Sequence, residues 1–383
     1  MSLSWLNPAN WKVHCFLPFN LLKNIRTFDQ DTEVLKWDTG YSMQQKDRAG
    51  NGIVSEWDGA HMEAITTWMI QAGIKAAPTF HWVTLEDGPS IIQELAAEND
   101  PDLVVFNPMD GTETDGWPGL SIIKALEATK IPFSGAAPFL YAMDQSKADT
   151  KAYLTKVNAS TPRYADLVTI DVAAEAALKQ LTYPVLIKPA LLSGSLGLFS
   201  KSVVSSATEA IIVAKEISVE FGAVYAEEFI SGREFTVLVV GNARDNACNI
   251  KTFRTQERVF RNDLHDSERF LSKEMKWGDN YGLTANEGKR WWLSFPEESI
   301  DLAAQAVTRD TFMKINGSGY CRMDLRQDSC TGVIYVVDVN PNCSINITND
   351  SSFYQILQGS GVSFADFFTL ILRNGIERRR NIS

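Results

Sequence analysis

The chain of 383 residues is 45% hydrophobic, enough for a substantial core and too long for one ordinary domain, so two or three domains are expected. Its 47 acidic residues outnumber the 36 basic ones and leave a formal net charge of −11, which argues against a general grip on nucleic acid or an anionic membrane surface. Small anionic ligands stay open, because a local cluster of lysines can overcome a negative total.

The first residues carry neither a basic n-region nor an apolar h-region, and no run reaches the ~18 apolar residues of a membrane span, so a cytoplasmic protein is expected. The sequons at Asn158, Asn316, Asn346 and Asn349 are then chance matches. Lys12–Pro18 reads as a short buried strand and Met62–Ala72 as a helix, leading through Gly73 into a second extended run, Thr79–Val83. Asp102–Phe106 is another apolar strand, followed by a helix near Leu120–Thr129 and by the short Ile131–Phe133. Strands alternating with helices predict an α/β layer with a parallel sheet, whose ligands sit at the carboxyl ends of the strands. Residues 21–58 are polar and weakly periodic and yield no role. The stretch Asp110–Gly116 lacks the spacing and terminal glutamate of an EF-hand and reads as a turn before a helix.

A second region begins at Met143-Asp144, with Asp144 or Ser146 as a helix cap. Lys147 and Lys151 lie one turn apart on one face of that helix; taken alone they read as a solvated face, a reading that the next segment changes. Tyr183–Pro189 is an apolar strand ending in Lys188, followed by the loop Ser193-Gly194-Ser195-Leu-Gly197 and by a helix with a capping box, Ser206 and Glu209. Such a loop can close over phosphates with backbone and hydroxyl donors while the strand-end lysine fixes a positive charge. It is neither a Walker A loop nor GxGxxG, and by itself it is a weak signal. Val224–Val240 reads as strand, tight turn, strand, with Glu227 and Glu228 interrupting apolar runs. Lys273, Lys276, Trp277 and Gly278 fall in a loop expected to move. Glu297–Ile315 is an amphipathic helix, and the tail Glu377-Arg-Arg-Arg reads as a solvated helix end.

Two runs of alternating character, Tyr320–Leu325 and Val333–Val339, flank a turn-forming stretch and predict a β-hairpin. Alternation puts Arg322 and Asp324 on one face of the first strand, and Asp338 and Asn340 on one face of the second. If the register matches these parities, one guanidinium, two carboxylates and an amide share one side of the sheet. Hard oxygen ligands grouped this way suit Mg²⁺ beside substrate phosphates, and an arginine two residues from a ligand can stabilise an oxyanion. The five cysteines, Cys15, Cys248, Cys321, Cys330 and Cys343, have no CxxC spacing, so neither a zinc site nor a disulfide framework is indicated.

In this order the motifs resemble the ATP-grasp superfamily, most closely its D-alanine:D-alanine ligase branch, over roughly residues 100–350. Met143-Asp144 to Lys151 is similar to the family's Met-Asp-Lys-x-x-x-Lys with two extra residues, so that Lys147 takes the place of the first phosphate-binding lysine and Lys188 resembles the second. Ser193, Gly194 and Ser195 resemble the glycine loop over the triphosphate, with Ser195 as its phosphate-contacting serine. Glu227, Glu228, Phe229 and Ile230 look like the hinge that reads adenine through backbone groups, and Glu234 like the acid on the ribose hydroxyls. Lys276-Trp277 is similar to the Lys-Tyr of the closing loop. Arg322 falls on the oxyanion arginine, and Asp324, Asp338 and Asn340 fall on the three metal ligands, with Asp338 where a glutamate is usual.

The resemblance implies an ATP-grasp fold, α/β with an N-terminal open parallel domain (1–139), a central subdomain with the glycine loop (140–226) and a C-terminal subdomain with the metal site (227–383). It implies ATP and two Mg²⁺ ions, or Mn²⁺, and an ADP-forming ligase that joins a carboxylate to an amine through an acyl phosphate. Arg322, Lys276 and Ser195 would be catalytic. A non-amino nucleophile and an ATP-binding regulatory protein without turnover are the alternatives. The expected partners are small-molecule carboxylate and amine substrates, with a homodimer left open and neither nucleic acid nor membrane expected. The family's Gly-Gly-x-Ser-x-Glu has no counterpart near Lys12–Asn20, its His-Gly turn is replaced by Met109-Asp110, and its Ser-Pro-Gly-Met by Pro341–Ile345. D-alanine as substrate is therefore not expected.

Overall fold

The computed structural model describes residues 7–19, 27–29, 34–36, 42–43, 59–113, 116–192, 194–244, 249–277 and 289–380. The N-terminal layer contains β1 (Lys12–Pro18), the short strands β2 (Thr27–Asp29), β3 (Val34–Lys36) and β4 (Ser42–Met43), α1 (Gly59–Gln71), β5 (Thr79–Val83), α2 (Gly88–Glu98), β6 (Leu103–Phe106), α3 (Leu120–Ala128) and α4 (Pro138–Tyr141). β5, β1 and β6 form a parallel sheet with β1 at its centre, as the alternation of strands and helices predicts. β2 to β4 pair antiparallel among themselves; the rest of the stretch 21–58 lies outside the described residues.

The middle of the chain runs through α5 (Lys147–Lys156), β7 (Tyr164–Asp166), α6 (Val172–Leu178), β8 (Val185–Pro189), β9 (Val203–Val204), α7 (Ala207–Phe221) and β10 (Val224–Glu228). The strands make an antiparallel sheet in the order β7-β10-β8-β9. Ile187, Val224 and Ala226 meet Leu178, Val213 and Ile217 in a core of their own. α7 starts as predicted, Ser206 Oγ accepting the Glu209 N–H at 3.2 Å, with Glu209 reaching back to the Ser205 N–H at 2.8 Å. Ser146 caps α5 by accepting the Asp149 N–H at 3.2 Å.

The last part holds β11 (Gly232–Asn242), β12 (Lys251–Thr252), β13 (Gln256–Phe260), α8 (Lys273–Trp277), β14 (Trp291–Ser294), α9 (Glu298–Lys314), β15 (Ser318–Asp328), β16 (Ile334–Pro341), α10 (Ser352–Gly359) and α11 (Phe364–Arg380). β14-β13-β11-β15-β16, with β12 beside β11, form one antiparallel sheet. β10 and β11 do not pair, so Phe229–Ser231 is not a hairpin turn: it carries the chain from one sheet into the other. Lys273–Trp277 is a helical turn rather than loop.

Both faces of the last sheet are packed. Phe235, Met323 and Val339 join Phe16, Ile123 and Phe133 in one core, while Leu238, Tyr320 and Phe367 join Val13, Phe106 and Trp68 in a second. Gly319 allows the backbones to touch here: its φ is +97° and a Cβ would come within 2.1 Å of the Gly135 carbonyl oxygen. The tail departs from its reading as a solvated end. Arg378 is buried, donates to the Gly135 carbonyl at 2.9 Å and the Phe133 carbonyl at 3.2 Å, and lies over the Phe133 ring. Burial pushes its pKa down to about 10, and the backbone acceptors at the end of the N-terminal layer take the place of water.

Candidate functional site

The hairpin forms, and its register puts Arg322 opposite Asn340 and Asp324 opposite Asp338. Facing residues of antiparallel strands share a side, so the four groups meet as the parities require. The register is broken, however. Leu325 faces Val336 and Asp324 faces Asp338, which leaves Val337 as an extra residue on β16. Counting back from the turn without this bulge would set Val337 against Asp324 and turn Asp338 to the opposite face; the bulge re-aims it. Asp324 accepts from Thr236 Oγ1 at 2.9 Å, from Arg322 at 3.1 Å and from Asn340 Nδ2 at 3.2 Å. Burial works against the charge on Arg322, but Asp324 reverses the effect and raises its pKa. Its Nε is buried with no hydrogen-bond partner among the described residues.

α5 aims two lysines at the same place. Lys147 Nζ is 2.6 Å from Asp338 Oδ2. Lys151, read from its neighbourhood as part of a solvated face, is instead only 2% exposed; it pairs with Glu227 at 2.8 Å and donates to the Val336 carbonyl at 3.3 Å. Lys188 pairs with the other oxygen of Glu227. Burial alone would raise the pKa of Glu227 and of Asp338; the lysines outweigh it and hold both carboxyls below the usual range. Lys151 goes the other way, burial lowering its pKa even with Glu227 beside it.

The crossover Phe229–Ser231 leads to Glu234 on β11. Phe229 donates its N–H to the Pro184 carbonyl at 2.9 Å, and the Ile230 carbonyl accepts from Arg326 at 2.6 Å. Those two backbone groups are engaged within the protein, a constraint that the hinge reading lacked. The Glu228 N–H donates to the Arg163 carbonyl at 2.9 Å, and its side chain pairs with Arg163 at 2.5 Å, away from the other acids. Glu234 carries an arginine on each oxygen, Arg326 at 2.9 Å and Arg258.

These walls enclose a cavity of about 910 Å³. Leu186, Phe229, Ile230 and Phe270 line it together with Lys147, Lys188 and the β15–β16 face, and with Cys343, Ser344, Asn346 and Trp292. The glycine loop and α8 meet across its mouth: a Cβ on Gly194 would lie 4.0 Å from Lys276 Nζ, and Ser195, at φ +65°, donates Oγ–H to the Leu271 carbonyl at 2.8 Å. The Ser195 hydroxyl is thus tied to the segment that leads into α8. Ser193 and Gly278 lie outside the described residues.

The family model for the D-ala D-ala ligase C-terminus matches residues 159–373. The chain belongs to this family. It is similar to the D-alanine–D-alanine ligase B of Xanthomonas campestris, 26% identical over 254 residues that cover 66% of this chain and 71% of that one. It is also similar to the D-alanine–D-alanine ligase of Pseudomonas fluorescens, 25% identical over 82% of this chain and 85% of that one. The fold matches the crystal structure of the D-alanine–D-alanine ligase from Bacillus anthracis complexed with ATP, with a TM-score of 0.59 and 14% identity over 97% of this chain and 99% of that one. The protein is an ATP-grasp, ATP-dependent, ADP-forming ligase.

For this ligase, the residues picked out by motif do converge: Lys147, Lys188, Glu227, Phe229, Ile230, Glu234, Lys276, Arg322, Asp324, Asp338 and Asn340 all line the cavity, with Gly194, Ser195 and Glu228. Thr236, Arg258 and Arg326 were missed, and Lys151, which closes the Met143-to-Lys151 motif, was given no site role. Of the three missed, Arg326 alone has a sequence signal, the i, i+2, i+4 run Arg322, Asp324, Arg326 that shares a strand face. Among the described residues no three His, Cys, Asp or Glu side chains gather to hold a metal. The donor set on β15 and β16 is two carboxylates and an amide, hard oxygens that fit Mg²⁺ completed by phosphate and water. No described helix is long and apolar enough to cross a membrane.

Proposed function

We propose that the ligase joins a small carboxylate to an amine through an acyl phosphate, at the face built from Arg322, Asp324, Asp338 and Asn340. The convergence of those four side chains with Lys147 is the observation that carries this reading. Three lysines and two carboxylates, Lys147, Lys151 and Lys188 with Glu227 and Asp338, neutralise one another to within one positive charge. When a triphosphate enters, Lys147 and Lys188 can exchange a carboxylate for phosphate oxygens, which uncovers Asp338. Mg²⁺ held by Asp324, Asp338 and Asn340 would supply charge neutralisation at the transferring phosphoryl group.

A substrate carboxylate then attacks the γ-phosphorus, ADP leaves, and the amine opens the acyl phosphate to an amide and inorganic phosphate. Arg322 would stabilise the oxyanion of that second step through the donor left unpaired at Nε. Lys276 and Ser195, on segments that already touch, would close over the phosphates and keep water from the acyl phosphate. Glu228 to Ile230 would cradle the base and Glu234 the ribose.

D-alanine is the substrate in the names of the relatives. For this chain we propose other substrates, because Pro341–Ile345 stands where the family has Ser-Pro-Gly-Met and the N-terminal Gly-Gly-x-Ser-x-Glu has no counterpart. The test is ADP release with MgATP and pooled amino acids and amines. ADP formation that rises only when an amine acceptor is added supports the reading; turnover indifferent to every amine, or restricted to D-alanine, overturns it.

A further inference from the structure

Arg326 lies two residues beyond Asp324 on β15 and is 5% exposed. Its fork is spent where the two sheets join. Nε donates to the Ile230 carbonyl at 2.6 Å, Nη2 to the Gly232 carbonyl at 3.2 Å, and Nη1 both to Glu234 Oε2 and to the Arg269 carbonyl at 2.9 Å. The guanidinium also sits 4.9 Å from the centre of the Phe229 ring. From the cavity side Arg258 holds Glu234 Oε1 while lying over the Trp291 ring at 5.2 Å.

A buried guanidinium needs acceptors for its donors, and these carbonyls with one carboxylate provide them. What matters is where the carbonyls come from. Two belong to the crossover and its junction with β11, beside the apolar cluster of Leu186, Phe229 and Phe270, and the third to the segment that leads into α8 and Lys276. Glu234 is tied to both through one side chain. A carboxylate has about four acceptor sites; the two arginines take one on each oxygen, which leaves one on each for a vicinal diol.

We propose that Arg326 is a positioning residue for the nucleotide: it fixes Glu234 in the orientation that presents its remaining lone pairs to the ribose hydroxyls, and locks that acid to the crossover and to the approach to Lys276. The proposal rests on the cavity being an ATP site. Lysine can carry the charge but cannot span four acceptors in one plane, so Arg326→Lys separates the fork from the charge.

The experiment compares ATP with 2′-deoxyATP in wild type, Arg326→Lys, Glu234→Gln and the double variant. Wild type should favour ATP by about tenfold or more in kcat/KM, the effect of a hydrogen bond to a charged group. Arg326→Lys should bring the two nucleotides to within about twofold and raise the KM for ATP about tenfold, with kcat at saturating ATP held within about threefold. The double variant should discriminate no less than Glu234→Gln alone, because both act through one carboxylate. Arg378→Lys, a second buried arginine bonded to carbonyls, serves as control: it should lower Tm and keep the preference for ATP. An Arg326→Lys protein that is less stable yet prefers ATP as strongly as wild type would reduce Arg326 to a strut and overturn the proposal. Wild type that binds no ATP sinks the nucleotide reading itself, a result distinct from wild type that binds ATP without regard to the 2′-hydroxyl, which sinks only the role of Glu234 and Arg326.

Discussion

The two sheets that wall the cavity differ in what stands behind them. The β7-β10-β8-β9 sheet closes its core with α6 and α7 alone, whereas the β11–β16 sheet shares both apolar faces with the N-terminal layer and with α9, α10 and α11. Arg322, Asp324, Asp338 and Asn340 stand on the second wall; Lys188 and the glycine loop ride on the first. The links across include ion pairs, Lys151 bonding Glu227 on one side and the Val336 carbonyl on the other, beside a small apolar contact of Leu186 with Phe229 and Phe270. Geometry is held by packing where bonds are to be made, and left to exchangeable ion pairs where a nucleotide has to enter.

At the metal and oxyanion face of the backed wall, Arg322 to Asn340, changes should therefore cost chemistry rather than nucleotide binding, whereas Glu234 and Arg326, nearer the crossover on the same sheet, act on the nucleotide. Asp324→Ala is expected to have the largest effect, a loss of about 10³-fold or more in ADP formation, since metal-held charge stabilisation is worth several kcal/mol. Binding of ATP without metal, followed by tryptophan fluorescence, should stay within a few-fold of wild type. Normal turnover in this variant would remove Asp324 from the metal set. Arg322→Ala comes next, about 10²–10³-fold in amide formation while ATP still binds; an equal loss of ATP affinity would place Arg322 with the nucleotide instead.

On the other wall the expected effect is smaller and of a different kind. Gly197 has φ +70°, and a Cβ there would lie 2.5 Å from Pro189 Cγ and 3.0 Å from the Phe221 ring. Gly197→Ala should displace the loop, raise the KM for ATP about tenfold and leave Tm within about 2 °C, because the strain falls on the loop and not on the core. A kcat loss as large as that of Arg322→Ala would contradict the division between the walls.

Most strands were legible because their burial is local in pattern: β1 and β5 lie where the apolar runs put them, and the hairpin forms between its turn residues. The register at the site was not. Only the extra residue Val337 brings Asp338 round to Asp324, and a bulge leaves no mark in a run of valines. Charge misled in two places. Lys151 and Arg378 look solvated among their sequence neighbours, yet each is buried by partners far along the chain, Glu227 for one and the Phe133 and Gly135 carbonyls for the other. A one-dimensional pattern carries no information on such acceptors. The hinge failed as a turn for a related reason, since strand, gap, strand reads the same whether the second strand returns to its own sheet or enters another.

The backing of the second wall can itself be loosened by acid. On β1 and β5, in the N-terminal layer, His14 Nδ1 lies 2.9 Å from His81 Nε2, with the rings 14° from parallel. One ring must donate and the other accept, so the pair survives with at most one added proton. Burial lowers the pKa of both, more than Glu98 and Asp100 raise that of His14 or Glu98 and Glu94 that of His81; Lys12 adds to the lowering at His14 and His14 to that at His81. The unfolded chain, with histidines near pKa 6.5, therefore binds more protons than the folded one as pH falls. Stability from the pair is whole above about pH 6.5 and is lost as pH drops through the lowered folded values. Between pH 7.5 and 5.5, above the range where carboxylates titrate, Tm should fall by about 2–5 °C. His81→Gln should flatten that slope while leaving the ATP-to-2′-deoxyATP preference unchanged, because neither histidine lines the cavity. A slope as steep in the variant as in wild type would assign the acid sensitivity to the ion pairs of the cleft, and the two walls would then share one titration.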